Sequence, residues 1–166
     1  MVVLITGATG TLGKELMKVF PDALHPTHSE LDIRDKVRVH NFIKQNRPDM
    51  LIHAAALTGI RECEENRPLA YETNVEGTAN LVNAVYESDI DCYFAYISTA
   101  CVFYGDVGDY TEDDLPFPKN FYSLTKLLGE FVVRYSRLRK YVVTRTNFGA
   151  RERWRHPKAF ADRYGT

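Results

Sequence analysis

The stretch Thr6-Gly7-Ala8-Thr9-Gly10-Thr11-Leu12-Gly13 constrains this chain more than any other. Before it runs Val2-Val3-Leu4-Ile5, a continuous apolar segment of the kind a strand buried on both faces requires. After it, Thr11 to Phe20 reads as a helix. Between the two, glycines recur at every third position: Gly7 permits a tight turn, Gly10 lets backbone approach a pyrophosphate, and Gly13 lets helix pack on strand. A helix starting near Thr11 aims its unbonded N–H groups and positive dipole end at an anion held in that turn. The spacing departs by one residue from G-x-G-x-x-G, so taken alone the segment also reads as an ordinary structural bend.

The chain of 166 residues is 45% hydrophobic, enough for one domain with its own core. A formal net charge of −1 gives no electrostatic reason to expect nucleic acid or an acidic membrane as partner. No apolar run reaches membrane-spanning length, and the N-terminus enters the first strand without the pattern of a signal peptide. Cys63, Cys92 and Cys101 lack metal-ligand spacing and read as reduced thiols of a cytoplasmic protein, with no metal site expected.

Further along, Ala23-Leu24-His25 reads as a short second strand followed by Pro26-Thr27-His28-Ser29. In a dinucleotide fold the residues past that strand meet the adenosine ribose, where an acid favours a free 2′-hydroxyl and cationic or hydroxyl groups tolerate a 2′-phosphate. The run around His28 therefore leans toward NADP(H) over NAD(H), although a polar surface loop has the same composition. Lys36 to Asn46 has helix-compatible apolar spacing and is stopped by Arg47-Pro48-Asp49. Met50 to Ala56 reads as a buried strand ending in small side chains, Ala54, Ala55 and Ala56, which leave room for a flat ligand or for close packing. A long helix is expected over Leu69 to Ser88, a strand over Asp91 to Ser98, a helix over Phe121 to Leu138 and a strand over Tyr141 to Thr144. Strands alternating with helices imply an α/β fold, a Rossmann-type doubly wound parallel sheet with helices on both faces.

Tyr122-Ser123-Leu124-Thr125-Lys126 places a phenol and an ammonium on one helical face. A nearby cation favours phenolate and would lower the Tyr122 pKa, although such a spacing also arises on plain surfaces. Ligands sit outside the carboxyl ends of parallel strands, so Thr99, Tyr122 and the glycine turn are expected in one crevice.

In order, TGATGTLG, LDIRD, HAAA, Asn74-Val-x-Gly-Thr78, STACVFYG and YSLTK resemble the extended short-chain dehydrogenase/reductase superfamily. Among its members the chain is most similar to the dTDP-4-dehydrorhamnose reductase group, and the resemblance reaches to about Gly149. It implies NAD(P)H-dependent reduction of a 4-keto nucleotide sugar; the segment Glu62 to Thr78 would also suit the related epimerases and dehydratases. It further implies that Gly7, Gly10, Thr11 and Leu12 cradle the pyrophosphate, that Asp32 and Ile33 meet the adenine, and that Ala54, Ala55 and Ala56 line the middle of the cofactor. Asn74 would support the site, Thr99 would bond the substrate oxygen, Tyr122 would give the proton, and Lys126 would hold the nicotinamide ribose. A homodimer through the helices 69–88 and 121–138 is implied as well.

Members of that superfamily usually continue for a substrate-binding lobe. Residues 1–149 accordingly read as the dinucleotide-binding domain and 150–166 as the start or remnant of a substrate-binding region. Its basic residues Arg151, Arg153, Arg155 and Lys158 read either as a diphosphate clamp or as a hydrated tail. A shortened chain also leaves open a third function, a cofactor-binding regulatory or scaffold subunit without catalysis.

Overall fold

Val3, Leu4, Ile5 and Thr6 are all buried, which is the condition of a parallel strand covered on both faces. The computed structural model describes residues 1–105 and 108–146. Four strands, β1 (Val3–Thr6), β2 (Met50–His53), β3 (Tyr93–Thr99) and β4 (Lys140–Thr146), pair in that order and all run parallel. Parallel neighbours need crossovers, and helices supply them. α1 (Thr11–Val19) and α2 (Lys36–Asn46) lie between β1 and β2. α3 (Ile60–Glu65), α4 (Arg67–Tyr71), a π-helical turn (Glu72–Glu76) and α5 (Gly77–Glu87) lie between β2 and β3. A 3₁₀ turn (Ala100–Val102) and α6 (Phe121–Arg134) come after β3.

Alternation along the strands divides the core between two faces. Leu4, Leu51, Phe94 and Tyr96 face α2, α5 and α6, packing with Val39, Ile43, Leu81, Val85 and Val133. Val3, Ile5, Ile52 and Ala95 face the other way, against Leu16 and Met17 of α1. The sheet is thus covered on both faces, as expected of a Rossmann-like α/β fold. Register aligns Thr6, His53 and Tyr96, while β3 runs on to Thr99. The carboxyl edge is stepped there, and the step is where the candidate site forms.

Several local expectations need correction. Ala23 to His25 is no strand: Leu24 makes a single bridge to Leu4, exchanging Leu24 N–H to Val3 O and Ile5 N–H to Leu24 O at 2.8 Å each. Pro26 comes at once and has no N–H to extend the ladder. The helix expected over 69–88 is instead α4, the π turn and α5, and the helix expected over 121–138 ends at Arg134. A π turn takes one extra residue per loop, which rotates the next stretch of helix about its axis. Asn74 lies within this turn and is almost wholly buried, on the side it shares with Ala70 and Leu81. The six-residue helix α3 was not expected from the sequence. Residues 150–166, with the basic cluster Arg151 to Lys158, lie outside the described residues.

α6 approaches β3 and the π turn closely because it carries Gly129. A Cβ there would collide with the Tyr96 hydroxyl and come within 3.1 Å of the Asn74 carbonyl. Gly129→Ala should therefore cost about 1–3 kcal/mol through overpacking, measured by denaturant unfolding. An unchanged unfolding midpoint would show that α6 has room to withdraw.

Candidate functional site

The glycine turn is built as its spacing implied. Gly7 has φ of +76°, and a Cβ on it would stand 2.6 Å from the Ala55 nitrogen, so the turn and the loop after β2 touch backbone to backbone. A Cβ on Gly13 would overlap the Gly7 carbonyl, which is how α1 comes down onto β1. Gly10 by contrast meets nothing closer than 3.3 Å and faces solvent with Thr9 and Thr11, while Leu12 is half-buried. α1 starts from Gly10 with no side-chain cap and no acid in its first turn, whereas Asp35 caps α2 and Asn120 caps α6. Its first N–H groups are thus left to water or to an anion. The residues present fit a pyrophosphate.

The adenosine end has a feature that reading the sequence missed. Asp32 binds the Arg34 guanidinium at 2.6 Å and stands 3.5 Å from His28. Its hydrogen bonds from Arg34 hold the carboxyl down at about 2. His28 itself is exposed. The Ile33 side chain belongs to the core, against Gly77 of α5, and its carbonyl takes a bond from Asn80 at 2.9 Å.

Ala54, Ala55 and Ala56 are half-buried beside the turn. The Ala54 and Ala55 N–H groups bond the Thr6 carbonyl and hydroxyl at 3.2 and 3.3 Å. Asn74 fastens the same loop to the helix behind it. Its amide accepts from Leu57 N–H at 2.8 Å and donates to the Leu57 carbonyl at 3.0 Å and to the Thr125 hydroxyl at 2.9 Å. Thr125 in turn donates to the Tyr122 carbonyl at 2.8 Å. Asn74 is therefore a clamp between the loop and α6, with both of its amide protons already donated.

At the end of β3, Thr99 caps the 3₁₀ turn by accepting from Cys101 N–H at 3.1 Å, and its side chain also bonds the Tyr122 phenol. Thr99 and Tyr122 thus meet at the strand end, as expected. The charge expectation is overturned. Burial pushes the Tyr122 phenol up to about 12, the thiols of Cys101 and Cys63 act in the same direction, and the hydrogen bond from Thr99 opposes them. Lys126 is almost fully buried and lies over the Tyr96 ring at 4.2 Å. Burial draws its ammonium down to about 7. Desolvation, which i,i+4 spacing cannot reveal, is the largest cause of both shifts.

Beneath the crevice lies a relay that reading the sequence also missed. His53 is fully buried between Thr6 at 2.8 Å and Thr78 at 3.0 Å. The Thr78 hydroxyl gives its proton to the Asn74 carbonyl at 2.7 Å, so it accepts from His53 Nε2–H. Nδ1 is then the acceptor, and Thr6 donates to it. Burial holds His53 neutral, its pKa lowered to about 3, and the Lys126 charge adds to the effect. A lone histidine in an apolar strand was the one available signal.

A stepped parallel sheet, an uncapped glycine turn and a Thr–Tyr–Lys set along one carboxyl edge define a Rossmann-like α/β protein of the dinucleotide-fold class. Residues 1–153 match the family described as the RmlD substrate binding domain, and the chain belongs to that family. It is 36% identical over 133 residues to dTDP-4-dehydrorhamnose reductase of Aggregatibacter actinomycetemcomitans, covering 76% of this chain and 45% of that protein. It is 34% identical over 142 residues to methionine adenosyltransferase 2 subunit beta of Rattus norvegicus, covering 79% and 42%. The dTDP-4-dehydrorhamnose reductase of Bacillus anthracis in complex with NADP superposes with a TM-score of 0.83 at 35% identity, covering 90% of this chain and 55% of that one. The chain thus spans about half the length of the relatives it matches. Among the described residues no helix is long and apolar enough to cross a membrane, and no group of three or more His, Cys, Asp or Glu is placed to hold a metal.

A neutral buried His53 makes stability depend on pH. Its pKa is depressed from 6.5 to about 3 on folding, so between those values the unfolded chain binds the extra proton and acid favours unfolding. Stability should fall as pH drops from 6.5 toward 3, by up to roughly 1 kcal/mol per pH unit from this residue. His53→Gln should flatten that slope in urea titrations. Equal slopes for the two proteins would place the acid sensitivity elsewhere.

Proposed function

We propose that the chain carries the cofactor-binding and proton-donating half of an NAD(P)H-dependent reductase acting on a 4-keto nucleotide sugar. The observation that carries the reading is the placement of Thr99 at the end of β3 and of Tyr122 and the buried Lys126 in the first turns of α6, on a fold whose glycine turn opens an uncapped helix. A phenol held up at about 12 stays protonated at neutral pH, so Tyr122 is ready as an acid, the role that reduction of a ketone needs. A nicotinamide, when bound, supplies the hydride. Tyr122 gives its phenolic proton to the oxygen that becomes an alkoxide, while the Thr99 hydroxyl bonds the same substrate oxygen. Lys126 holds the ribose hydroxyls, Gly10, Thr11 and Leu12 hold the pyrophosphate, and Ala54 to Ala56 pass the middle of the cofactor. His28 and Arg34 are basic groups flanking Asp32 at the adenosine end, which supports NADP(H); the Bacillus anthracis reductase structure holds NADP.

The likeness to methionine adenosyltransferase 2 subunit beta favours a second reading, a cofactor-binding subunit of a larger assembly. Two outcomes separate them. For the reductase, mixing the protein with NADPH and a dTDP-4-keto sugar should bleach the reduced nicotinamide, and Tyr122→Phe should slow it by roughly 100-fold or more while NADPH binding persists. Equal rates for the two proteins, or cofactor binding with no turnover on any keto sugar, would exclude the reductase.

A homodimer is also proposed, packed through α5 and α6. Tyr86 of α5 and Tyr135, just past the end of α6, stand exposed at an open groove of about 420 Å³, and Phe131 is exposed on α6. Light scattering should show a dimer that Phe131→Glu converts to monomer; a monomeric parent protein would contradict it.

A further inference from the structure

Glu130 is fully buried one helical turn beyond Lys126 and touches neither the glycine turn nor the Thr99–Tyr122 pair. Four hydrogen bonds reach it. Ser98 Oγ donates to Oε1 at 2.6 Å, Arg145 Nε to Oε1 at 3.0 Å and to Oε2 at 3.2 Å, and Arg145 Nη2 to Oε2 at 2.8 Å. Every partner is a donor, so the group is a carboxylate. Its bonds tie α6 to β3 next to Thr99 and to β4. Arg145 is incompletely satisfied: its Nη1 is buried without an acceptor among the described residues, and its guanidinium rests on the Phe103 ring at 4.8 Å.

We propose that Glu130 is a positioning residue of the reductase: it locks the Tyr122–Lys126 helix to the strand ends and supplies the negative charge that keeps Lys126 cationic. The inference rests on the reductase reading for its consequence, though not for its test. Around Lys126 the ionisable groups among the described residues are Tyr122 and Glu130 on α6, Tyr96 on β3 and His53 on β2, with Arg145 of β4 behind Glu130. His53 is neutral and Tyr96 offers a ring face. Burial draws the Lys126 ammonium down, and Glu130 is the group that raises it again. A site at about 7 sits where a single neighbouring charge decides the protonation state.

The pair lends itself to a test in which structural damage and charge predict different results. With ¹³C-labelled lysine side chains, and Lys126 assigned by its loss in Lys126→Arg, the titration of Lys126 is followed by NMR in the cofactor-free protein. Glu130→Gln should move its midpoint down by about one pH unit or more, because Arg145 remains as an uncompensated cation. Arg145→Gln should move it up, and Glu130→Asp should leave it near its original value. If Glu130→Gln does not fold, the other two variants still decide. Shifts of the two glutamine variants in the same direction, or no shift in Arg145→Gln, would overturn the proposal. The alkaline limb of NADPH oxidation should show the same order. Opposite lysine shifts without turnover would leave the inference standing and remove the reductase reading; turnover without the shifts would do the reverse.

Discussion

The side-chain amide of Asn74 joins the two halves of the crevice. One half is the glycine turn and the loop after β2, and the other is the helix that carries Tyr122 and Lys126. A buried amide that gives and takes three hydrogen bonds is costly to disturb, because any partner that moves leaves a polar group unpaired out of reach of water. The same residue hands its backbone carbonyl to Thr78, and through Thr78 and His53 the network arrives at Thr6 in β1. The glycine turn and the helix that carries Tyr122 and Lys126 are therefore joined through one hydrogen-bonded network.

A π turn, Glu72–Glu76, sits at this point of the chain, with Asn74 on the buried side that it shares with Ala70 and Leu81; π turns are frequent at functional sites. Gly77 and Gly129 then let α5 and α6 settle against Ile33 and Tyr96. Packing at these two points sets the distance between the helices and the sheet edge, and so the width of the crevice.

How legible each feature is in the residues depends on how local it is. Val3 to Gly13 announces strand, turn and helix within one short segment, and the fold class comes from repeating that pattern. Tyr122 and Lys126 are visible because their spacing is helical, and Thr99 because it ends an apolar run. Helix caps are within reach of the sequence too: Asn120, three residues before Ser123, is a start signal. Other features are not local. Leu24 looks like part of a strand until Pro26 ends the ladder, and the break at Glu72 has no composition of its own. The protonation states of Tyr122, Lys126 and His53 come from burial, which three separate segments create together. Spacing alone suggests that Lys126 draws the Tyr122 phenol down, whereas desolvation raises the phenol and lowers the amine.

Membership of the RmlD substrate binding domain family and the likeness to reductase structures account for the scaffold, and the site's own geometry supplies the chemistry proposed for it. The central claim is that the uncapped start of α1 and the Thr99–Tyr122–Lys126 set serve one extended ligand. A crystal structure of the protein grown with NADPH tests it most directly. The account predicts the pyrophosphate on the N–H groups of Thr11 and Leu12, with the nicotinamide ribose within hydrogen-bonding distance of Lys126 and the ring facing Tyr122. A dinucleotide bound elsewhere, or one whose nicotinamide end lies away from Tyr122, would contradict it.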